Sequence, residues 1–150
     1  MKKWEQYSSM DEAITDYIEH KKQYGVKLNR TQARKAIAKE IPKEQAYQTK
    51  IKNYLETLPE CIDVWKETVM GPQSSNQGVP DVAAIMKPSG IYFGFEIKRP
   101  LIGKLSERQR ARIQKINDGG GHAYIVTTVD DVKRILIREG IIHEDTKNSV

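Results

Sequence analysis

The chain has 150 residues and carries 25 Lys and Arg against 20 Asp and Glu, a net charge of +5. That is enough chain for one domain with its own core, and the basic balance permits a polyanionic partner without requiring one. Cys61 is the only cysteine, which excludes an internal disulfide or a multi-cysteine zinc cluster and fits a reducing, cytoplasmic setting; no apolar run approaches the roughly 20 residues of a membrane span, and Met1-Lys-Lys-Trp-Glu5 lacks the apolar core of a signal peptide.

Ser9 followed by Glu12 reads as a capping box, and Met10, Ile14, Tyr17 and Ile18 repeat at helical spacing until Gly25, so a helix is expected there. Asn29 to Glu40 reads as a second, short basic helix that pairs with the first, in an extension serving packing, dimerisation or a DNA clamp. Pro42 suits the first turn of a third helix, in which Glu44, Gln48, Ile51 and Leu55 fall at i, i+4, i+7 and i+11 on one stripe. A carboxylate on an inward stripe is expensive unless paired, which points Glu44 towards a metal site; the alternative is a first-turn glutamate favoured by the helix dipole. Pro59 closes that helix. Ile62 to Val69 reads as a first strand, with Asp63, Trp65 and Glu67 on one face and Ile62, Val64 and Lys66 on the other. Gly71-Pro-Gln-Ser-Ser-Asn-Gln-Gly78 has the composition of a mobile loop and leads towards Asp81, at the mouth of any site there.

Asp81 to Met86 is a mostly apolar run. After it Ile91, Phe93, Phe95 and Ile97 alternate with Tyr92, Gly94, Glu96 and Lys98, the period of a strand. Lys87-Pro-Ser-Gly90 suits a turn between the two, giving a hairpin in which Met86 faces Ile91 and Asp81 faces Glu96. Facing Cβ atoms lie roughly 4.5 to 5.5 Å apart. Two carboxylates about 5 Å apart repel by on the order of 3 kcal/mol at an effective dielectric near 20, a large part of the roughly 5 to 15 kcal/mol by which a domain is stable. A hard divalent cation such as Mg²⁺ offsets that repulsion, because such ions prefer carboxylate oxygens. Lys98, on the face of Glu96, neutralises further charge or orients a metal-bound water. The alternative is a surface hairpin with an ordinary exposed Glu96–Lys98 pair, and a slip of one residue or a bulge would part the carboxylates.

After Pro100, Leu101 to Lys104 reads as a loop, and Ser106 starts a helix. Ser106 with Gln109 is a capping box, while Gln109, Ile113 and Ile116 share a face, so the amide either caps the helix or points to the metal site. Arg108, Arg112 and Lys115, with Arg110 beside them, form either a phosphate-contacting face or a solvated charged one. Gly119-Gly-Gly121 stops the helix, and His122 to Thr127 returns as a strand after a crossover long enough for parallel pairing with the Glu96 strand. Thr128 caps a last amphipathic helix bearing Val132, Ile135 and Leu136, and Ile141 to Val150 reads as a polar tail. His20, His122 and His143 show no ligand spacing. The expected architecture is α/β: a helical extension over residues 1–41, a core over 42–140 with a mixed sheet flanked by helices, and a tail over 141–150.

The order Pro80-Asp81, then Glu96-Ile-Lys98, resembles the PD-(D/E)XK nuclease signature. More specifically, Gly78-Val-Pro-Asp81, Phe95-Glu-Ile-Lys98-Arg-Pro100, Gly103-Lys-Leu-Ser106 with Gln109, and Gly120-Gly-His-Ala-Tyr-Ile-Val126 resemble, in that order, the VRR-NUC (virus-type replication-repair nuclease) family, over about Glu44 to Gly140. The resemblance implies a restriction-endonuclease-like α-β-β-β-α-β core and Mg²⁺- or Mn²⁺-dependent hydrolysis of phosphodiester bonds in DNA. By position it implies that Asp81 and Glu96 hold metal with the Ile97 carbonyl, that Lys98 positions the attacking water, and that Glu44 and Gln109 complete the site from two helices. The family motif often has a less bulky residue where Arg99 stands, so Arg99 is expected to add a phosphate contact, beside Lys104, Arg108, Arg112 and Lys115. A homodimer, flap or junction DNA as substrate, and a phage or prophage source acting in the host cytoplasm are further implications. The rival reading is a non-catalytic DNA-binding or assembly module that keeps the fold.

Overall fold

The computed structural model describes residues 1–67 and 78–144. The expected loop at 71–78, except Gly78, the last residues of the expected first strand and the end of the expected tail lie outside the described residues. Among the described residues no helix is long and apolar enough to cross a membrane.

Side-chain caps set most of the helix starts. Helix α1 (Met10–Lys22) begins at Ser9, whose hydroxyl accepts from the Glu12 amide at 3.1 Å. The Glu12 carboxylate does not return to Ser9 but bonds the amide and hydroxyl of Ser8, so the reciprocal half of the expected box is displaced by one residue. Helix α2 (Arg30–Glu40) starts with a complete box between Asn29 and Gln32. Helix α3 (Glu44–Glu56) has no side-chain cap and follows Pro42 and Lys43. A 3₁₀ turn at Trp4–Gln6, which the sequence reading missed, precedes them all.

Strands β1 (Cys61–Lys66), β2 (Val82–Met86), β3 (Ile91–Ile97) and β4 (His122–Val126) form one sheet in the order β1-β2-β3-β4. The β1/β2 and β2/β3 pairs are antiparallel and β3/β4 is parallel, so the sheet is mixed, as the crossover length implied. Helix α4 (Glu107–Asp118) makes that crossover, and α5 (Val129–Arg138) follows β4. In β1 the register shifts between Cys61 and Asp63. That irregularity corrects the expectation that Ile62 and Val64 share a face: Cys61 and Val64 pack on the core, and Ile62 is turned out to solvent.

The main core lies on one face of the sheet. Tyr47, Ile51 and Leu55 of α3 and Val132 and Leu136 of α5 meet Val82, Ala84, Met86, Phe93, Phe95 and Ile97 there. Burying side chains of this size contributes about 1.5–3 kcal/mol each, which fixes which face of β3 points inward. The opposite face, with Glu96, is left for α4. Ile141 and Ile142, read from sequence as the start of a polar tail, also pack on this core.

A second cluster joins α1 and α2 through Ala13, Ile14, Tyr17, Ala33, Ile37 and Ile41, with Tyr7. Leu101 and Ile102, from the loop after β3, pack against it. Arg99 reinforces this junction. Its guanidinium donates to the carbonyls of Pro42 at 2.9 Å, Ala38 at 3.1 Å and Ile41 at 2.6 Å, closing the C-terminus of α2, where carbonyls lack helical partners. Those Nε and Nη2 donors are committed to the backbone. Hydrogen bonds from a charged group contribute about 1.5–3 kcal/mol net. Arg99→Ala is therefore expected to lower unfolding free energy by about that amount in urea titrations, and Arg99→Lys to recover only part, because an ammonium does not span three carbonyls as a planar fork does.

Candidate active site

The hairpin register places the two central carboxylates. Met86 pairs with Ile91 and Val82 with Phe95, so one step beyond the end of β2 Asp81 stands across from Glu96. Glu96 lies on the face opposite the Phe93 and Phe95 core and is the one fully buried charged side chain among the described residues. The exposed-pair alternative is thereby excluded. Asp81 Oδ2 accepts from the Ile97 amide at 2.8 Å, which anchors it across the ladder.

Around Glu96 the partners are few and specific. Its Oε1 accepts from Lys98 Nζ at 3.1 Å and from Gln109 Nε2 at 2.5 Å. Among the described residues its buried Oε2 has no hydrogen-bond partner. Burial first, and then the charge of Asp81, push the Glu96 carboxyl up to about 8 against the pull of Lys98. Burial also raises Asp81, opposed by the Ile97 amide and Lys98. A buried carboxylate oxygen normally has a partner; leaving one bare costs about 1–3 kcal/mol, more when charged.

Gln109 performs both of the roles between which the sequence left it. Its carbonyl oxygen accepts from the Ser106 amide at 3.0 Å in a complete capping box, while its amide nitrogen bonds Glu96. One side chain thus starts α4 and pins it to the carboxylate. Gly78 serves the same junction: a Cβ there would come within 2.7 Å of the Arg108 carbonyl oxygen, so only glycine lets the segment before Asp81 run against the first turn of α4. That close approach was not legible beforehand, although the glycine in Gly78-Val-Pro-Asp81 was its signal.

Glu44 stands in the first turn of α3, half-buried, and its carboxyl is raised by burial and by Asp81. Gln48 Nε2 reaches its Oε1 at 3.4 Å. Among the described residues no three His, Cys, Asp or Glu side chains are grouped to hold a metal ion, while the charges of Asp81 and Lys98 both act on Glu44. Lys104, Arg108 and Lys115 are exposed on or just before α4, whereas Arg112 is half-buried on the sheet side with Gln109 and Ile113 and acts on Tyr92. His122 stacks on Phe93, ring centroids 4.6 Å apart, on the other face of the sheet from Glu96. A cleft of about 810 Å³ lies elsewhere, between the N-terminal turn, Tyr47, Leu101 and the start of α5.

The donor set suits a hard divalent cation. Once both are ionised, two facing carboxyls hold more negative charge than Lys98 cancels, and such ions take carboxylate and main-chain carbonyl oxygens. Because the fold retains on Glu96 a proton that an unfolded chain releases near 4.5, stability from this group is present below that pH and is lost as pH rises through about 8. In EDTA the melting temperature is expected to fall across that window, and Glu96→Gln, which cannot ionise, to flatten the fall in a pH series of thermal melts.

No family model matches the sequence, and no curated protein matches it. Among solved structures the chain is similar to a structure described as a VRR_NUC domain: the two are 25% identical, the match covers 63% of this chain and 94% of the other, and the TM-score is 0.49.

Proposed function

We propose that this chain is a divalent-metal-dependent nuclease that hydrolyses phosphodiester bonds in DNA. The observation that carries the reading is Glu96, fully buried, facing Asp81, with Lys98 Nζ 3.1 Å away and one oxygen without a partner among the described residues. The motif resemblance described above supports the same chemistry.

Asp81 and Glu96, with the Ile97 main-chain carbonyl, hold the ion. When bound, a divalent ion polarises the phosphate and makes a water more acidic. Lys98, tethered by Glu96, orients the attacking water and offsets the charge that grows on the phosphate oxygens as the transition state forms. Water oxygen bonds to phosphorus and releases a proton to solvent, the bond from phosphorus to the leaving oxygen breaks, and that oxygen takes up a proton from solvent. Gln109 fixes the carboxylate of Glu96, the kind of support that tunes a ligand without touching the ion. Glu44, held by Gln48, adds negative potential from the α3 side. Lys104, Arg108 and Lys115 line the DNA on the α4 side, with Arg112 nearer the sheet. In line with the resemblance, we assign branched DNA, flap or junction, as the preferred substrate and a homodimer as the acting form.

Purified protein is expected to cut a labelled panel of linear, flapped and four-way DNA with Mg²⁺ or Mn²⁺ and to stop in EDTA. Glu96→Gln and Lys98→Ala are expected to lose at least about a hundredfold in rate, and parent-like rates in either would remove the assignment. A second pair of variants separates the roles of Gln109. Ser106→Ala should cost about 1 kcal/mol of stability as a lost cap and leave cleavage near the parent level, whereas Gln109→Ala should also weaken metal affinity or rate by about 10- to 100-fold, read by calorimetry with Mn²⁺ and by initial rates.

A further inference from the structure

We infer that the outer face of α2 is a second DNA-binding element, a cationic strip that grips the phosphate backbone of duplex flanking the cut; this rests on the nuclease reading above. Ala33 and Ile37 bury one side of α2 against α1. Arg34, Lys35 and Lys39 lie exposed on the remainder, and Lys43 follows just beyond the helix. None of these four makes an ion pair among the described residues. The single acid of the helix, Glu40, is already held by the Tyr17 hydroxyl at 2.7 Å, and its first turn carries no acid.

Elsewhere on the same extension two cations are matched: Lys2 pairs with Glu12 and Arg30 with Asp11. Lys35 and Lys39, four residues apart, are neighbours on the helix surface, where like charges weaken a helix, and neither makes an ion pair among the described residues. The strip also lacks a large apolar side chain, so a protein partner that buries hydrophobic surface does not fit it; a polyanion does.

Its position joins it to the candidate site. Arg99 follows Lys98 directly, and its guanidinium holds the carbonyls of Ala38, Ile41 and Pro42. The C-terminal end of α2 is therefore fastened to the end of β3 that carries Lys98, and the connection from Lys39 through Lys43 runs straight to Glu44. Backbone phosphates lying along α2 lead towards the carboxylate pair rather than away from it.

The test is fluorescence anisotropy of a labelled blunt DNA duplex with the full chain in EDTA, titrated over about 50 to 200 mM salt. Each phosphate contact contributes about 0.9 to the slope of log affinity against log salt, so the triple variant Arg34→Ala, Lys35→Ala, Lys39→Ala is expected to be shallower by about 2 to 3. Lys35→Arg with Lys39→Arg should keep the parent slope, and so should Lys87→Ala with Lys133→Ala, which removes charge far from the strip. If the triple variant does not fold, the single Lys35→Ala and Lys39→Ala variants carry the test, each shallower by about 1. A triple variant with the parent's slope and affinity, while metal-dependent cleavage persists, overturns the strip and leaves the nuclease reading standing. Parent protein that binds through α2 but never cuts with Mg²⁺ or Mn²⁺ does the reverse, and a parent that neither binds duplex nor cuts it ends both.

Discussion

The antiparallel ladder between β2 and β3 forces two acidic side chains to face one another at its open end, one of them sealed from solvent. Like charges at such separations repel by on the order of 3 kcal/mol, and burial adds to the penalty. The surroundings of Glu96 read as a partial answer to that cost. Lys98 supplies one positive charge, Gln109 a hydrogen bond, and the Ile97 amide holds Asp81. One oxygen is still without a partner among the described residues. Carboxylate oxygens so placed are of the class that hard divalent cations prefer.

The rest of the molecule holds this point rigid. The core of α3 and α5 occupies the Phe93 face of the sheet and leaves the Glu96 face to α4, which is seated there by Gln109 and by the close approach of Gly78 to the Arg108 carbonyl. The N-terminal helices are fastened through Arg99, Leu101 and Ile102, the residues that follow Lys98. Strand end, crossover helix and N-terminal extension thus converge on the same few residues. Any displacement at the Lys98 end is opposed by two hydrophobic clusters and a set of main-chain hydrogen bonds.

Sidedness separates this site from the other features of the fold. Phe93 and Glu96 are three residues apart on one strand and so face opposite ways. The stack of His122 on Phe93 therefore belongs to the core side, and the cleft beside the N-terminal turn is bounded by α5 and the loop after β3 rather than by the carboxylates.

The sequence by itself determined the local and the periodic. Alternation in Ile91 to Lys98, the turn at Lys87 to Gly90 and the short loop count were sufficient to put Asp81 opposite Glu96, and the caps read at Ser9, Ser106 and Thr128 marked helix starts within a residue. These are legible because a strand has a period of two and a cap satisfies amides only a few positions away. Only tertiary structure decided what depends on distant segments meeting. It carried the Arg99 guanidinium to the carbonyls of Ala38, Ile41 and Pro42, let Gln109 cap a helix and bond a carboxylate with opposite ends of one amide, and bulged β1 so that Ile62 turned out to solvent. Each of those outcomes follows from hydrogen-bond donors and buried volume contributed by elements far apart in the chain, which no local pattern encodes.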